Sequence, residues 1–113
     1  MTKIYGIKTC GSVVKAFNFF KAHDLAYEFV DFKATPVDEK KIKEWLQLTD
    51  LATLLNTKGT KYKTLKLKDL NLDNGAKVEW LSKENLLIKR PVIEFNKKLI
   101  VGYDEERYKK EFL

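Results

Sequence analysis

The sequence predicts an α/β fold of βαβ…ββα order, and three observations carry that expectation. A short β-like run at residues 3–7 (KIYGI) breaks at Lys8-Thr9 and gives way to helical spacing from Gly11. Two further apolar runs, "RPVIEF" and "LIVG", stand close together near the end of the chain. The final segment, "YDEERYKKEFL", has the spacing of an amphipathic helix.

Taken in order, the first strand is followed by a helix from Gly11 to about Ala22. Val13, Phe17 and Phe20, with Val14 nearby, form its buried stripe. "AYEFVDF" (Ala26 to Phe32) predicts a second strand with Tyr27, Phe29 and Asp31 on one side. In "TPVDEKKIKEWLQLTD", Thr35 is placed to cap a helix, Pro36 to take its first position, and Asp38 and Glu39 to meet its positive end. Ile42, Trp45 and Leu46, with Thr49 at its end, make the apolar face of that helix. A short helix capped by Asp50 follows, up to Asn56. "NTKGTKYKTLKLKDLN" is expected to be a basic loop with at most a turn of helix. A further helix runs from about Asp73 to Asn85, with Val78 and Leu81 inward. The two late strands are joined by a polar turn, Asn96-Lys97-Lys98, and Asp104 caps the last helix, whose Tyr108 and Phe112 share a face. A βαβ unit followed by ββα is the order of the thioredoxin-like fold. The expected organisation is one such domain over residues 1–113, with a helical insertion at about 36–86.

Bulk properties narrow the function. A chain of 113 residues has the size of one domain. No run is long and apolar enough for a membrane helix, and the N-terminus lacks the pattern of a signal peptide. A single cysteine excludes an internal disulfide, so a reducing cytoplasm is the expected setting. The formal charge of +6 favours anionic partners: nucleic acid, phosphate-like oxyanions, acidic proteins or glutathione. Acidic residues spread through the chain weaken the nucleic-acid reading.

Cys10 is the first chemistry-bearing residue. Most free cysteines are small buried apolar residues. Cys10 instead lies ahead of the helix's apolar stripe, among Lys, Thr, Gly and Ser, at the point where the helix's partial positive charge favours a thiolate. Lys8 and Lys15 are placed to add to that effect. The second position of a C-x-x-C pair is Val13, so any redox turnover needs a thiol from outside, such as glutathione. Pro91 starts an apolar strand, an ordinary place for proline; at the start of the third strand of a thioredoxin-like fold it is expected to be cis and to face the cysteine. The chain has two arginines, Arg90 and Arg107. Arg90 precedes Pro91. Arg107 falls in the first turn of the last helix, where a cation opposes the helix dipole unless an anion is present. Both suit bidentate binding of oxyanions or carboxylates. The lysines Lys58, Lys61, Lys63, Lys66 and Lys68, interleaved with Tyr62, are read first as a solvated loop and only second as a nucleic-acid contact. His23, the lone histidine, is read as a helix-end residue, with no metal site implied.

The segments "IYGIKTCGSVVKAFNFFKAH", "YEFVDFKATP", "LLNTKGTKYKTL", "LLIKRPVI" and "VGYDEERYKKEF" together resemble the arsenate reductase (ArsC)/Spx family, most closely its YffB-like glutaredoxin-related branch. The resemblance covers nearly the whole chain. It implies a thioredoxin-like core with a helical insertion and a nucleophilic cysteine, here Cys10. It also implies an oxyanion or glutathione site at the positions of three family arginines, here Arg90, Arg107 and Lys58. Lysine keeps the charge at the third position but loses the planar fork. The histidine that arsenate reductases commonly carry before the cysteine is absent from "YGIKTC". The expected function is a glutathione-dependent monothiol reductase acting through the Cys10 thiolate on an oxyanion or thiol substrate. Pro91 lies beside the site, glutathione is a co-substrate with no bound cofactor, and glutaredoxin is a further partner. The alternative is a non-catalytic Spx-like regulator that binds RNA polymerase; Val13 removes the usual C-x-x-C redox switch from that branch.

Overall fold

The computed structural model describes residues 1–113. Contacts within the chain divide it into two compact units, one made of Met1–Lys33 and Arg90–Leu113, the other of Ala34–Lys89.

The first unit holds a four-stranded sheet of order β2-β1-β3-β4, built from β1 (Lys3–Gly6), β2 (Glu28–Asp31), β3 (Val92–Phe95) and β4 (Lys98–Val101). β1 pairs parallel with β2, and antiparallel with β3 through Lys3–Glu94, Ile4–Ile93 and Tyr5–Val92. The parallel pair needs a crossover, which α1 (Gly11–Ala22) supplies. The last helix of the chain, α6 (Glu105–Phe112), follows β4. This is the thioredoxin-like order that the sequence predicts.

The core of this unit gathers Ile4 of β1, Ala16, Phe19 and Phe20 of α1, Ile93 of β3 and Tyr108 of α6, each at most 6% exposed. The stripe of α1 therefore differs from the expected one. Val13, Ala16, Phe19 and Phe20 are buried, whereas Val14 is 40% exposed. Ala16 is small enough to be passed over in a search for apolar spacing, yet it marks the line from Val13 to Phe20. Phe17 lies at the side of the helix, stacked on Tyr27 and edge-on to Phe29. Tyr27 and Phe29 thus share a partner, although only residues 28–31 are paired as strand.

The hairpin between β3 and β4 is tighter than expected. Lys98 already pairs with Phe95, which leaves a two-residue turn, Asn96-Lys97, with φ of 45° and 60°. Two positive φ angles match the twist of a hairpin, but a lysine in that conformation brings its Cβ against the backbone. Lys97→Gly is expected to stabilise the protein by roughly 0.5–1 kcal/mol. A melting temperature that stays level or falls would show that no strain resides there. Asp104 caps α6 as expected, accepting from the Arg107 N–H at 3.2 Å.

The second unit contains α2 (Glu39–Trp45), α3 (Leu51–Leu54), α4 (Thr60–Thr64) and α5 (Asn74–Lys83), with short 3-10 helices at Leu67–Leu70 and Asn85–Leu87. The cap of α2 is Asp38, which accepts from the Lys41 N–H at 2.9 Å. Thr35 and Pro36 are not part of the helix; both are exposed. The reason is Val37. Its N–H donates to Asn85 Oδ1 at 2.8 Å and its carbonyl accepts from Asn85 Nδ2 at 3.1 Å, which ties up the backbone one residue before the cap. Val37 and Ile42, the N′ and N4 positions of a hydrophobic staple, are both buried.

Asp50 and Asp73 cap α3 and α5 through the Thr53 and Ala76 N–H groups. Ile42, Trp45, Val78 and Leu81 face inward as expected. Helix α5 ends at Lys83, earlier than expected, because Asn85 Nδ2 donates to the Leu81 carbonyl at 2.9 Å. The lysine-rich segment carries more helix than expected. Leu67, 2% exposed, anchors it, while Lys58, Lys63, Lys66 and Lys68 stay exposed. Lys61 lies 3.7 Å from Glu84. No helix of the chain is long and apolar enough to cross a membrane.

Candidate functional site: a cysteine at a strand-to-helix junction

β1 ends at Gly6 and delivers the chain to the start of α1 in four residues. Cys10 is the N-cap of α1, with φ −75° and ψ 126°, and its N–H donates to the Ile7 carbonyl at 3.3 Å. Its own carbonyl accepts the first intrahelical bond, from the Val14 N–H at 3.0 Å. The side chain is half-buried. Sγ makes no full capping bond of ordinary geometry, but the Val13 and Ser12 N–H groups lie close enough to act on it as donors.

Partial burial pushes the Cys10 thiol up, and it is the largest single influence. It is outweighed by several favourable ones: the Val13 N–H, a hydrogen bond from the Arg90 side chain, the Ser12 N–H and the charge of Arg90. The net result is a thiol held below its ordinary value of 9.0. A free carboxylate or imidazole base is not involved. His23, at the other end of α1, is exposed beside Phe19.

Arg90 reaches Cys10 because β3 lies against β1. The residue stands just ahead of β3, the Arg90–Pro91 peptide bond is cis, and Pro91 is buried. The Pro91 carbonyl accepts from the Gly102 N–H at 2.7 Å, and Gly102 takes a φ of 90°, open to glycine at little cost. The Gly102 carbonyl in turn accepts from the buried Tyr108 hydroxyl at 2.8 Å. The start of β3, the end of β4 and α6 are thereby linked through two successive backbone and side-chain bonds.

Of the residues singled out from the sequence, Arg90 acts on Cys10, and Pro91 follows Arg90 ahead of β3. Arg107 lies exposed in the first turn of α6, where Asp104, Glu105 and Glu106 offset its charge against the helix dipole. Lys58 is exposed in the second unit, in the turn before α4. Lys8 and Lys15 are not among the groups that act on Cys10; Lys15 Nζ instead lies 5.9 Å from the centre of the Tyr103 ring. Sequence reasoning missed Ser12, whose contribution is a backbone group, and Gly6. The signal for Gly6 was available: a glycine inside a four-residue strand marks a close backbone approach.

A cysteine at the head of the crossover helix, and a cis-proline ahead of the antiparallel strand that pairs with β1, define a protein of the thioredoxin-like class. Within that class the chain belongs to the ArsC family, whose model matches residues 5–111. It is similar to a solved structure described as the YFFB protein, with a TM-score of 0.93 and 30% identity over 100% of both chains. Among curated relatives it is 29% identical over 103 residues to an arsenate reductase of Neisseria meningitidis, covering 88% of each chain. It is 28% identical over 112 residues to the global transcriptional regulator Spx of Listeria innocua, covering 97% of this chain and 86% of the regulator.

Proposed function

We propose that the protein is a monothiol oxidoreductase with Cys10 as its nucleophile and glutathione as co-substrate. The observation that carries this reading is the Arg90 guanidinium on the Cys10 sulfur at the start of α1, which favours the reactive thiolate. In the reaction, the Cys10 thiolate attacks one sulfur of a glutathione mixed disulfide. The S–S bond breaks, the substrate thiol leaves and takes a proton from water, and Cys10 is joined to glutathione. A second glutathione thiolate attacks that bond, releases oxidised glutathione and restores the Cys10 thiolate. Summed, RSSG and one glutathione give RSH and oxidised glutathione.

The second step needs an outside thiol because Val13, in the place of a resolving cysteine, is fully buried and carries no sulfur. Arg107 is a proposed holder of the substrate anion or the glutathione carboxylates, and Pro91 a proposed neighbour of the sulfur; Lys58 is proposed as an anion-binding residue of the second unit. Glutaredoxin is a proposed further partner. The lysine at position 58 and the missing histidine before Cys10 favour a disulfide over arsenate as the electrophile.

The test is incubation with oxidised glutathione followed by mass measurement, together with turnover of a glutathione mixed disulfide and of arsenate. The expected result is one glutathione per chain in the wild type, none in Cys10→Ser, and turnover that depends on glutathione. A Cys10 that titrates like a free cysteine, with no adduct, would overturn the proposal.

The similarity to an Spx regulator over 97% of this chain supports a second reading, a non-catalytic protein that binds RNA polymerase. Retention of polymerase in pull-downs by Cys10→Ser, with no reductase activity in the wild type, would favour it.

A further inference from the structure

We propose that Gly6 is the positioning residue for the Cys10 sulfur: its missing side chain leaves the space that Val13 occupies, and this seats the first turn of α1 with its N–H groups near Sγ. The geometry is tight. A Cβ at position 6 would stand 2.7 Å from Val13 Cγ2, 3.7 Å from Val13 Cγ1 and 3.8 Å from Arg90 Cβ. The first distance is shorter than real Cβ contacts allow, so Val13 would have to move. A β-branched side chain in a helix has little rotamer freedom with which to do so. Val13 is also 0% exposed, with no solvent side to turn to. The displacement therefore falls on the backbone of Ser12 and Val13.

Those two residues supply the N–H groups that favour the Cys10 thiolate, while Arg90 supplies the charge. Gly6 touches neither sulfur nor substrate. It lies where the end of β1, the head of α1 and the start of β3 meet, so that one absent methyl group sets the distance of the donors from the sulfur. The backbone conformation is not the reason for the glycine: its φ is not among the positive ones, and the strand geometry suits any residue. The requirement is for space alone. This inference rests on the thiolate reading given above.

The test is the pH dependence of Cys10 alkylation by iodoacetamide in four proteins: wild type, Gly6→Ala, Val13→Ala and the double variant. Gly6→Ala is expected to move the midpoint upward and to slow alkylation several-fold below the wild-type midpoint, because burial then acts against weaker donors. Val13→Ala keeps its backbone N–H but empties the gap, and it is the reference against which the double variant is read. In the double variant Cγ2 is gone, and the midpoint is expected to return toward wild type. A merely structural role for Gly6 would alter the melting temperature without this restoration. Should Gly6→Ala not fold, Val13→Ile crowds the same gap from the helix side and is expected to raise the midpoint likewise.

A folded Gly6→Ala or Val13→Ile with the wild-type midpoint would overturn the inference. So would a double variant that keeps a raised one. A wild type that titrates like a free cysteine would remove both this inference and the thiolate reading. A lowered wild-type midpoint with unresponsive variants removes this inference alone.

Discussion

Arg90→Met will slow the reaction of Cys10 with iodoacetamide several-fold at neutral pH and raise the pH at which the thiol becomes reactive. Methionine keeps much of the aliphatic length of arginine but removes both the hydrogen bond and the charge that act on the sulfur. Burial and the Ser12 and Val13 N–H groups remain, so the thiol keeps part of the influences that act on it. Arg90→Lys should fall between the two, since it keeps the charge without the planar fork. Added salt should narrow the gap between wild type and Arg90→Met, because Cys10 is half-exposed and the charge part of the interaction is screened. An Arg90→Met protein that alkylates with the wild-type pH profile would show that the helix start alone controls the sulfur.

The same interaction links to stability. The folded state lowers the Cys10 value, so it binds this proton more weakly than the unfolded chain does. The resulting stabilisation is present in full above the ordinary value of 9.0 and is lost as the pH falls through the lowered folded value. The stability difference between wild type and Cys10→Ser should therefore grow with pH across that window.

Asn85→Leu will destabilise the protein by about 3 kcal/mol in denaturant unfolding. Asn85 is 7% exposed, and the same side chain holds the Val37 N–H, the Val37 carbonyl and the Leu81 carbonyl. Val37 is itself 7% exposed, so its backbone groups have little access to water once their partner is gone. Leaving a buried polar group without a partner costs roughly 1–3 kcal/mol. Leucine has the same branching and is larger than asparagine, so cavity formation is not the cause. Asn85→Asp should be similarly damaging: its carboxylate can still accept from Val37, but it faces two carbonyls with no hydrogen to offer. The local readout is amide exchange at Val37, which should become fast. Preserved protection at Val37 and an unchanged unfolding midpoint would refute this account of the asparagine.

These two variants also mark what the sequence makes visible. The caps Asp50, Asp73 and Asp104 each bond a backbone N–H three residues ahead, so the information is local and the helix starts follow from it. Thr35 and Pro36 have the same local appearance, but Asn85, 48 residues away, holds Val37 outside the helix. That pairing has no trace in a window of ordinary length. The α1 stripe is hard to align from sequence because alanine at position 16 contributes to a core by fitting closely rather than by size. The helices of the lysine-rich segment were hidden because charge dominates its composition, while one buried leucine, Leu67, organises it.

At the site, the junction position of Cys10 was legible because strand and helix adjoin it in sequence. The action of Arg90 on the sulfur depends on β1 pairing with β3, and composition alone carries no register. The resemblance supplied Arg90 as an anion holder; the structure adds that it acts on the thiol itself.

The order β2-β1-β3-β4 has a consequence for the protein's synthesis. Cys10 is made early, with the first strand, while Arg90 and Pro91 are translated eighty positions later. A nascent chain can form β1, α1 and β2, yet it lacks the central antiparallel neighbour and the guanidinium beside the sulfur. The thiol of an incomplete chain has the helix start but not the guanidinium, and its reactivity rises further when β3 pairs with β1. Alkylation rate at Cys10 would then serve as a clock for completion of the fold, read at a single atom.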